Sequence, residues 1–171
     1  MDTSELDWEF ESGSFTSKDV GNDWTCDSSC NPPSISNIRQ GTKDIASTTG
    51  EFVDSDGDGD LDTLKVTVSN AYPCYYNHID FWVHNNGEVP LIISKVIIDG
   101  HVYTASPVIL CLDLNGDGNL DIIIRYGNSF GTQLEYCDSA NISFDFHILQ
   151  NAPEGQSLSF TIQIVAENWS P

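Results

Sequence analysis

Hydrophobic and polar residues alternate along most of this chain with a period of two. Apolar side chains occupy every second position of the segments 142–148 and 158–166, and shorter stretches of the same pattern precede them. Successive side chains of a β-strand point to opposite faces, so this alternation indicates strands with one buried face. No segment of useful length shows the period of an amphipathic helix.

Short apolar runs separated by glycine, asparagine and proline predict about nine strands joined by turns. The predicted strands cover residues 5–11, 45–53, 61–69, 76–84, 91–98, 102–110, 120–126, 142–149 and 158–166. Asp99-Gly100 is typical of a hairpin turn, and Pro107 indicates an edge position for the strand that contains it. The sequence therefore predicts an all-β fold, an antiparallel, jelly-roll-like β-sandwich.

The first predicted strand has one apolar and one acidic face. Leu6, Trp8 and Phe10 share the apolar face, and the flexible Ser12-Gly13-Ser14 follows. Two interpretations are open. The segment is either an ordinary first strand of the sandwich or a detachable strand that adds to a neighbouring subunit. The predicted division is therefore an N-terminal segment, residues 1–17, and a sandwich domain, residues 18–171.

The composition of the chain narrows the classes of binding partner. The chain has 171 residues and a net charge of −20, from 6 basic and 26 acidic side chains. This charge argues against nucleic acids, which require a basic surface, and against anionic lipid headgroups. No apolar run is long enough to cross a membrane. Such an excess of carboxylates repels itself in the folded state unless bound cations neutralise part of it.

Two segments place aspartate or asparagine at alternate positions around paired glycines. Because alternate side chains of a tight curl point inward, and Ca²⁺ takes six to eight oxygen ligands, each segment predicts a Ca²⁺ site. We call residues 54–62 loop 1 and residues 113–121 loop 2. Positions 1, 3, 5, 7 and 9 of an EF-hand-type loop, the seventh acting through its carbonyl, are occupied by Asp54, Asp56, Asp58, Asp60 and Asp62 in loop 1 and by Asp113, Asn115, Asp117, Asn119 and Asp121 in loop 2.

The loops differ from those of a helical calcium sensor. Position 12 should be a bidentate acid but is Lys65 or Ile124, and no helices flank the loops. Leu61 and Leu120 at position 8 are expected to anchor the loops to the core. Since each loop precedes an apolar strand, we expect structural ions rather than a switch. The alternative is a pair of acidic turns without metal.

Five cysteines favour disulfides over zinc, because paired Cys-x-x-Cys knuckles are absent. Cys26–Cys30 is the first predicted pair and Cys111–Cys137 the second, which leaves Cys74 over. Asn141 and Asn168 begin glycosylation triplets, which are also common by chance.

Signals for catalysis are weaker than these. Gly127–Gly131 matches the Gly-x-Ser-x-Gly nucleophile elbow around Ser129, but the residues that follow do not predict the helix that an elbow requires. The four histidines lack helical metal-ligand spacing, and surface positions explain them. Tryptophans could form a carbohydrate platform, although core or edge packing is commoner. We therefore predict a protein that is not an enzyme.

Two segments together resemble a known family. One runs from Ile79 to Ile93, a strand, an Asn85-Asn86-Gly87 turn and a second apolar strand, and the other runs from Leu158 to Trp169. Both resemble the TasA/camelysin family of secreted biofilm-matrix fibre subunits and its archaeal bundling-pilus relatives. The paired acidic loops and the Cys26–Cys30 segment are departures from the bacterial pattern.

The resemblance implies a jelly-roll subunit that is secreted after removal of a signal peptide and acts at the cell surface. It also implies a homopolymer that assembles head to tail by donor-strand complementation, with residues 1–15 as the donor. Leu6, Trp8 and Phe10 would be its inserted side chains. The alternatives are a monomeric calcium-binding adhesion or carbohydrate-binding module at the cell surface and, third, a secreted hydrolase.

Overall fold

The computed structural model describes residues 7–18, 24–26, 38–40, 45–71, 75–104, 108–126, 131, 133–149, 152 and 154–168. The strands are β1 (Trp8–Phe10), β2 (Thr16–Ser17), β3 (Trp24–Cys26), β4 (Ile38–Gln40), β5 (Ser47–Val53), β6 (Thr63–Ala71), β7 (Tyr76–Asn85), β8 (Leu91–Ile98), β9 (His101–Thr104), β10 (Val108–Leu112), β11 (Ile122–Tyr126), β12 (Gln133–Leu134), β13 (Ser139–Ile148) and β14 (Gln156–Asn168).

Two six-stranded antiparallel sheets form the sandwich, as the sequence predicts. The front sheet has the order β1-β7-β13-β11-β10, with β2 also on β7, and the back sheet has the order β12-β8-β14-β6-β5, with β9 also on β8. A separate two-stranded ribbon joins β3 to β4. The described part of the chain contains no helix long and apolar enough to cross a membrane.

The apolar faces of the two sheets meet in one core. On β13 every second residue from Ala140 to Ile148 is buried, and β14 repeats this alternation from Leu158 to Ile164. A buried polar bridge also spans the layers, since the hydroxyls of Thr48 on β5 and Tyr75 beside β7 lie 2.9 Å apart. The period-two pattern thus specified the buried faces.

One predicted strand is wrong. Residues 102–110 form two strands rather than one, because β9 pairs with β8 in the back sheet while β10 pairs with β11 in the front sheet. The turn that joins β8 to β9 has positive φ at Asp99 (50°) and Gly100 (83°), as a tight hairpin requires. The hairpin keeps β9 beside β8, so the chain must change sheets before β10.

The N-terminal segment runs along the outer edge of β7. Trp8 pairs with Asn85 and Phe10 with Val83, so β1 lies in the sheet of its own chain. Farther along, Glu11 N donates to Trp82 O over 2.9 Å. β2 continues this pairing on the same edge of β7. In a single chain, residues 8–17 therefore close one edge of the sandwich.

Phe15 explains a glycine in the middle of β5. Its half-buried ring packs against the core and lies over Gly50, where an added Cβ would be 2.5 Å from ring carbons. Glycine within a strand often marks such a close approach. Phe15 thus joins the N-terminal segment to the back sheet, a contact that the sequence pattern did not reveal.

His147 is the one histidine with a buried side chain among those that the structure describes. It is 3% exposed, and neither ring nitrogen has a hydrogen-bond partner among the described residues. Burial lowers the pKa of His147 below its usual 6.5 because the charged imidazolium would lose its hydration. The expectation that surface positions explain the histidines is therefore wrong here.

We expect the free energy of unfolding to decrease as the pH falls below 6.5, the ordinary pKa of histidine. Below this pH the imidazole of His147 becomes protonated in the unfolded chain but stays neutral longer in the folded chain. The unfolded state therefore binds more protons and gains population. Urea unfolding between about pH 7 and pH 5 measures the slope. His147→Leu should flatten it, and an unchanged slope in this variant would contradict the assignment.

Candidate metal centres and the N-terminal strand

The two acidic loops are hairpin connections at opposite edges of the sandwich. Loop 1 joins β5 to β6 in the back sheet, and loop 2 joins β10 to β11 in the front sheet. Strand registers place loop 1 near the end of β7 that pairs with β1, since Phe10 N donates to Leu61 O over 2.8 Å. They place loop 2 near the other end of β7, because Ile122 pairs with Ile148. The loops therefore lie at diagonal corners.

Loop 1 is held by its own backbone amides. Gly57 N and Gly59 N donate to the two carboxylate oxygens of Asp54, each over 2.8 Å. Positive φ values of 77° and 99° at these glycines let the chain curl around that carboxylate. The Gly59 amide is the largest of the causes that lower the pKa of Asp54 below its usual value.

Loop 2 repeats this arrangement. The glycines at the same two positions donate to the two oxygens of Asp113, again over 2.8 Å, with φ values of 77° and 89°. Asn119 N bonds Asp117 Oδ1 at 2.8 Å, as Asp60 N bonds Asp58 Oδ1 at 2.9 Å in loop 1. Two segments with the same sequence spacing thus adopt the same hydrogen-bonded curl.

Each curl brings carboxylates together. One oxygen from each of four loop 1 aspartates lies within 4.8 Å of the others, and three loop 2 aspartates form a similar group. These groups are Asp54, Asp56, Asp58 and Asp62 in loop 1 and Asp113, Asp117 and Asp121 in loop 2. Such oxygen-rich groups suit hard cations such as Ca²⁺, with waters and backbone carbonyls completing the shell.

Three of the ten predicted metal residues are not part of these carboxylate groups: Asp60, and Asn115 and Asn119, whose side chains are amides. Burial, and then the nearby Asp7 carboxylate of the N-terminal segment, raise the pKa of Asp60. The Asn115 side chain accepts a hydrogen bond from Asp117 N at 3.1 Å. Asp60 and Asn119 are predicted to bind the ion through their backbone carbonyls, and this role stays a prediction.

The two leucines at position 8 of the loops differ in burial. Leu61 is half-buried and packs against the core, whereas Leu120 is 46% exposed. The expectation that Leu120 anchors loop 2 is therefore wrong. Loop 2 is tied down by Asp121 instead, whose N donates to Leu112 O and whose O accepts from Leu149 N, both over 2.8 Å. No hydrophobic pattern indicated this polar anchor.

Phe10 is the main anchor of the N-terminal strand. Its side chain is fully buried and contacts the rings of Trp8, Phe52 and Phe81 at centroid distances of 5.2, 5.6 and 5.2 Å. Phe52 belongs to the back sheet and Phe81 to the front sheet, so the ring bridges both layers. The predicted apolar face is confirmed for Trp8 and Phe10, while Leu6 lies outside the described residues.

The structure contradicts the predicted Cys111–Cys137 disulfide, since both thiols are exposed and unbonded. Cys111 lies in register with Ile123 and His147 near the end of β13, whereas Cys137 precedes the start of that strand. The run from Ser139 to His147 extends about 27 Å, and a disulfide needs Cα atoms within about 7 Å. Cys30, Cys74 and the Cys26 side chain lie outside the described part.

The predicted glycosylation sites differ in accessibility. Asn141 lies within β13, half-buried, and its amide nitrogen donates to Asp80 Oδ1 and Phe81 O, each over 3.3 Å. Asn168 is exposed at the end of β14. Because a glycan needs an accessible amide, Asn168 is the better acceptor. The Ser129 elbow falls outside the described residues.

The outer face of the front sheet carries a polar network that the sequence pattern did not predict. Asp145 on β13 accepts from the Tyr76 hydroxyl at 2.8 Å and bonds His78 Nδ1 at 2.6 Å. Burial and this carboxylate raise the pKa of Tyr76. Strand register creates these contacts, so only knowledge of which strands pair could have found them.

A second group on that face joins the N-terminal segment to the sheet. The Ser139 hydroxyl donates to Glu11 and lies 2.9 Å from His84 Nδ1. His84 thus contacts the start of β13, while His147 lies near its end, so the two histidines are far apart along this strand. Trp82 on the same face is 41% exposed.

Comparison with known proteins identifies no relative: no protein-family model, no curated protein and no solved structure matches the chain. The resemblance to the TasA/camelysin family therefore stays a prediction based on the two quoted segments.

Proposed function

We propose that the protein is a structural subunit of an extracellular filament, assembled by exchange of its N-terminal strand and stabilised by calcium. In the filament, the N-terminal segment of one copy occupies in the next copy the place that it has in its own sheet. The proposal gives the protein a structural rather than an enzymatic role, with other copies of itself as the main partner.

The observation that carries this proposal is how residues 8–17 are attached. Only two short strands, β1 and β2, pair with the edge of β7, and a joint around Gly13 (φ 77°) separates them. Burial of Phe10 and Phe15, the bond from Phe10 N to Leu61 O and the contact of Glu11 with Ser139 add to this pairing. Another copy can offer the same main-chain bonds and side chains, so exchange costs few native contacts. A head-to-tail exchange that does not close generates a filament.

The acidic loops support a role outside the cell. Calcium sites outside the cell are filled even at modest affinity, because the ion is abundant there, so oxygen-rich loops of this kind suit that setting. Ions bound in the two loops would stabilise the β5–β6 hairpin at the edge of the back sheet and the β10–β11 hairpin at the edge of the front sheet. Binding that favours the folded state adds stability by mass action, about 2.7 kcal/mol at a hundredfold excess over Kd.

Deletion of residues 1–11 is the first test, because it removes Phe10 and the whole of β1. We expect this variant to form no filaments in negative-stain micrographs under conditions where the full chain assembles. It keeps the acceptor edge of β7 but offers no donor, so small amounts should also cap growing filaments of the full chain. Normal assembly of the variant would contradict strand exchange by this segment.

A disulfide trap distinguishes exchange from pairing within one chain. Glu9 and His84 are partners in the β1–β7 register, so Glu9→Cys together with His84→Cys places two thiols side by side. Filaments that are oxidised after assembly should give a ladder of cross-linked subunits on a denaturing gel, unlike either single variant. Cross-linked monomers alone would overturn the proposal.

A monomeric surface module that binds carbohydrate is the second candidate. Trp82 favours it, because an exposed indole among fixed polar side chains of a sheet face suits the flat face of a sugar ring. Such a monomer would keep β1 paired with β7 of its own chain. A full chain that stays monomeric and gives only monomeric cross-links would favour this candidate.

A further inference from the structure

The two acidic loops share one backbone arrangement, but the carboxylates at their ninth position differ in burial. Asp121 of loop 2 is fully buried, whereas Asp62 of loop 1 is partly exposed. Each accepts a backbone hydrogen bond from the second residue of its own loop: Ser55 N lies 3.1 Å from Asp62, and Leu114 N lies 2.8 Å from Asp121. In each loop these bonds fall on one carboxylate oxygen, so the loops differ in the surroundings of the second oxygen.

In loop 2 that second oxygen is buried without a partner. Oδ2 of Asp121 accepts from the amides of Leu114 and Asn115, while Oδ1 has no hydrogen bond with any described residue. The Asp121 carboxylate also lies in the 4.8 Å group with Asp113 and Asp117. A buried charged oxygen without a donor is unfavourable, and a cation held by that group would compensate it directly.

Loop 1 supplies hydroxyl groups where loop 2 does not. Asp62 Oδ1 accepts from Ser55 Oγ at 2.6 Å and from Thr63 Oγ1 at 2.7 Å. The corresponding residues of loop 2 are Leu114 and Ile122, which have no hydroxyl. Both hydroxyls bond the oxygen that also accepts from Ser55 N, and because Asp62 is partly exposed, water can hydrate its other oxygen without an ion.

We propose that the loops are unequal calcium sites: loop 2 binds the ion more tightly and carries most of the calcium-dependent stability. The inference rests on the proposed function only in taking calcium as the resident ion. Loop 1 has more aspartates, which favours affinity, but they are partly or fully exposed, so water competes for them and salt screens their charge. Asp121 is already desolvated, its carboxylate belongs to the group, and one of its oxygens has no donor among the described residues, so a bound ion gains contact there without displacing a hydrogen bond.

The ion in loop 2 also lies closer to the framework of the sandwich. Backbone bonds of Asp121 reach Leu112 at the end of β10 and Leu149 just beyond β13. Three strands of the front sheet therefore meet at this ligand, with β11 beginning at the next residue. Loss of the ion there leaves an uncompensated charge at a junction of three strands, whereas loss in loop 1 affects the β5–β6 hairpin and its backbone bond to Phe10.

The test compares matched variants of the full chain. Asp121→Asn and Asp62→Asn remove the same charge from the same position of each loop. After metal removal, calcium is titrated by calorimetry and thermal unfolding is followed with and without the ion. We expect Asp121→Asn to abolish the tighter of two binding steps, an affinity loss on the order of a hundredfold, together with most of the rise in Tm. Asp62→Asn should abolish only the weaker step.

Metal-free samples give an independent readout. Without calcium, Asp121→Asn should be at least as stable as the unmodified chain, because it removes an unpaired buried charge. With calcium the order should reverse. Equal losses in the two variants, a larger loss for Asp62→Asn, or no calcium binding at all would overturn the inference.

If Asp121→Asn does not fold, the exposed pair Asp117→Asn and Asp58→Asn at position 5 allows the same comparison with the same expected order. Filament formation is scored separately on these samples. Unequal loops in a protein that never polymerises would overturn only the proposed function, and equal loops in a protein that assembles would overturn only this inference.

Discussion

Phe10→Ala is expected to lower the free energy of unfolding by about 3–5 kcal/mol, the usual cost of truncating a buried aromatic side chain. The ring is fully buried and contacts Phe52 in the back sheet and Phe81 in the front sheet. Removal therefore leaves a cavity between the layers rather than at a surface. Urea unfolding at constant calcium concentration measures the loss.

The same substitution tests strand exchange. If the N-terminal segment acts as a donor, the cavity is created in the acceptor copy, so assembly should require a higher protein concentration. Glu9→Ala is the control, because this neighbouring side chain lies outside the core and opposite His84. We expect a change within about 0.5 kcal/mol for it. Similar losses in both variants would show that Phe10 is not the anchor.

Asn85→Asp is expected to destabilise the protein by about 3–5 kcal/mol, although the two side chains have nearly the same shape. The buried amide nitrogen of Asn85 donates to the carbonyl oxygens of Val89, Leu134 and Glu135 over 2.9, 3.0 and 3.2 Å. An aspartate would place a charged oxygen against those three carbonyls, while the Gly87 amide would still donate to the other side-chain oxygen. The β7–β8 turn and the segment before β13 should then separate.

Asn86→Asp is the matched control for this prediction. It adds the same negative charge one residue away, at a position that is partly exposed. We expect a change of less than about 1 kcal/mol, because water hydrates the new carboxylate. Equal destabilisation by the two variants would indicate that added charge, rather than the Asn85 hydrogen bonds, is responsible.

Several features follow from local chemistry and could be predicted before the structure. Alternation in β13 and β14 assigned their buried faces correctly, because a strand must alternate its side chains. The curl of the acidic loops followed from glycines at fixed positions among aspartates, since the hydrogen bonds that close each curl lie within the loop.

Features that depend on strand pairing could not be predicted in this way. The separation of Cys111 from Cys137, the contact of Phe15 with Gly50 and the bonds of Asn85 to Leu134 and Glu135 all depend on residues that are distant in sequence. The division of residues 102–110 between two sheets has the same origin. No local pattern records which strands become neighbours.

The sequence by itself determined the all-β class, the buried face of the first strand and the two repeated loops. Only the tertiary structure decided that the ninth-position carboxylate is buried in loop 2 and partly exposed in loop 1, because the burial of Asp121 depends on the strands around it while the spacing of its loop does not. It likewise placed β1 in its own sheet. The edge of β7 is completed by main-chain hydrogen bonds, which any copy of the segment can supply.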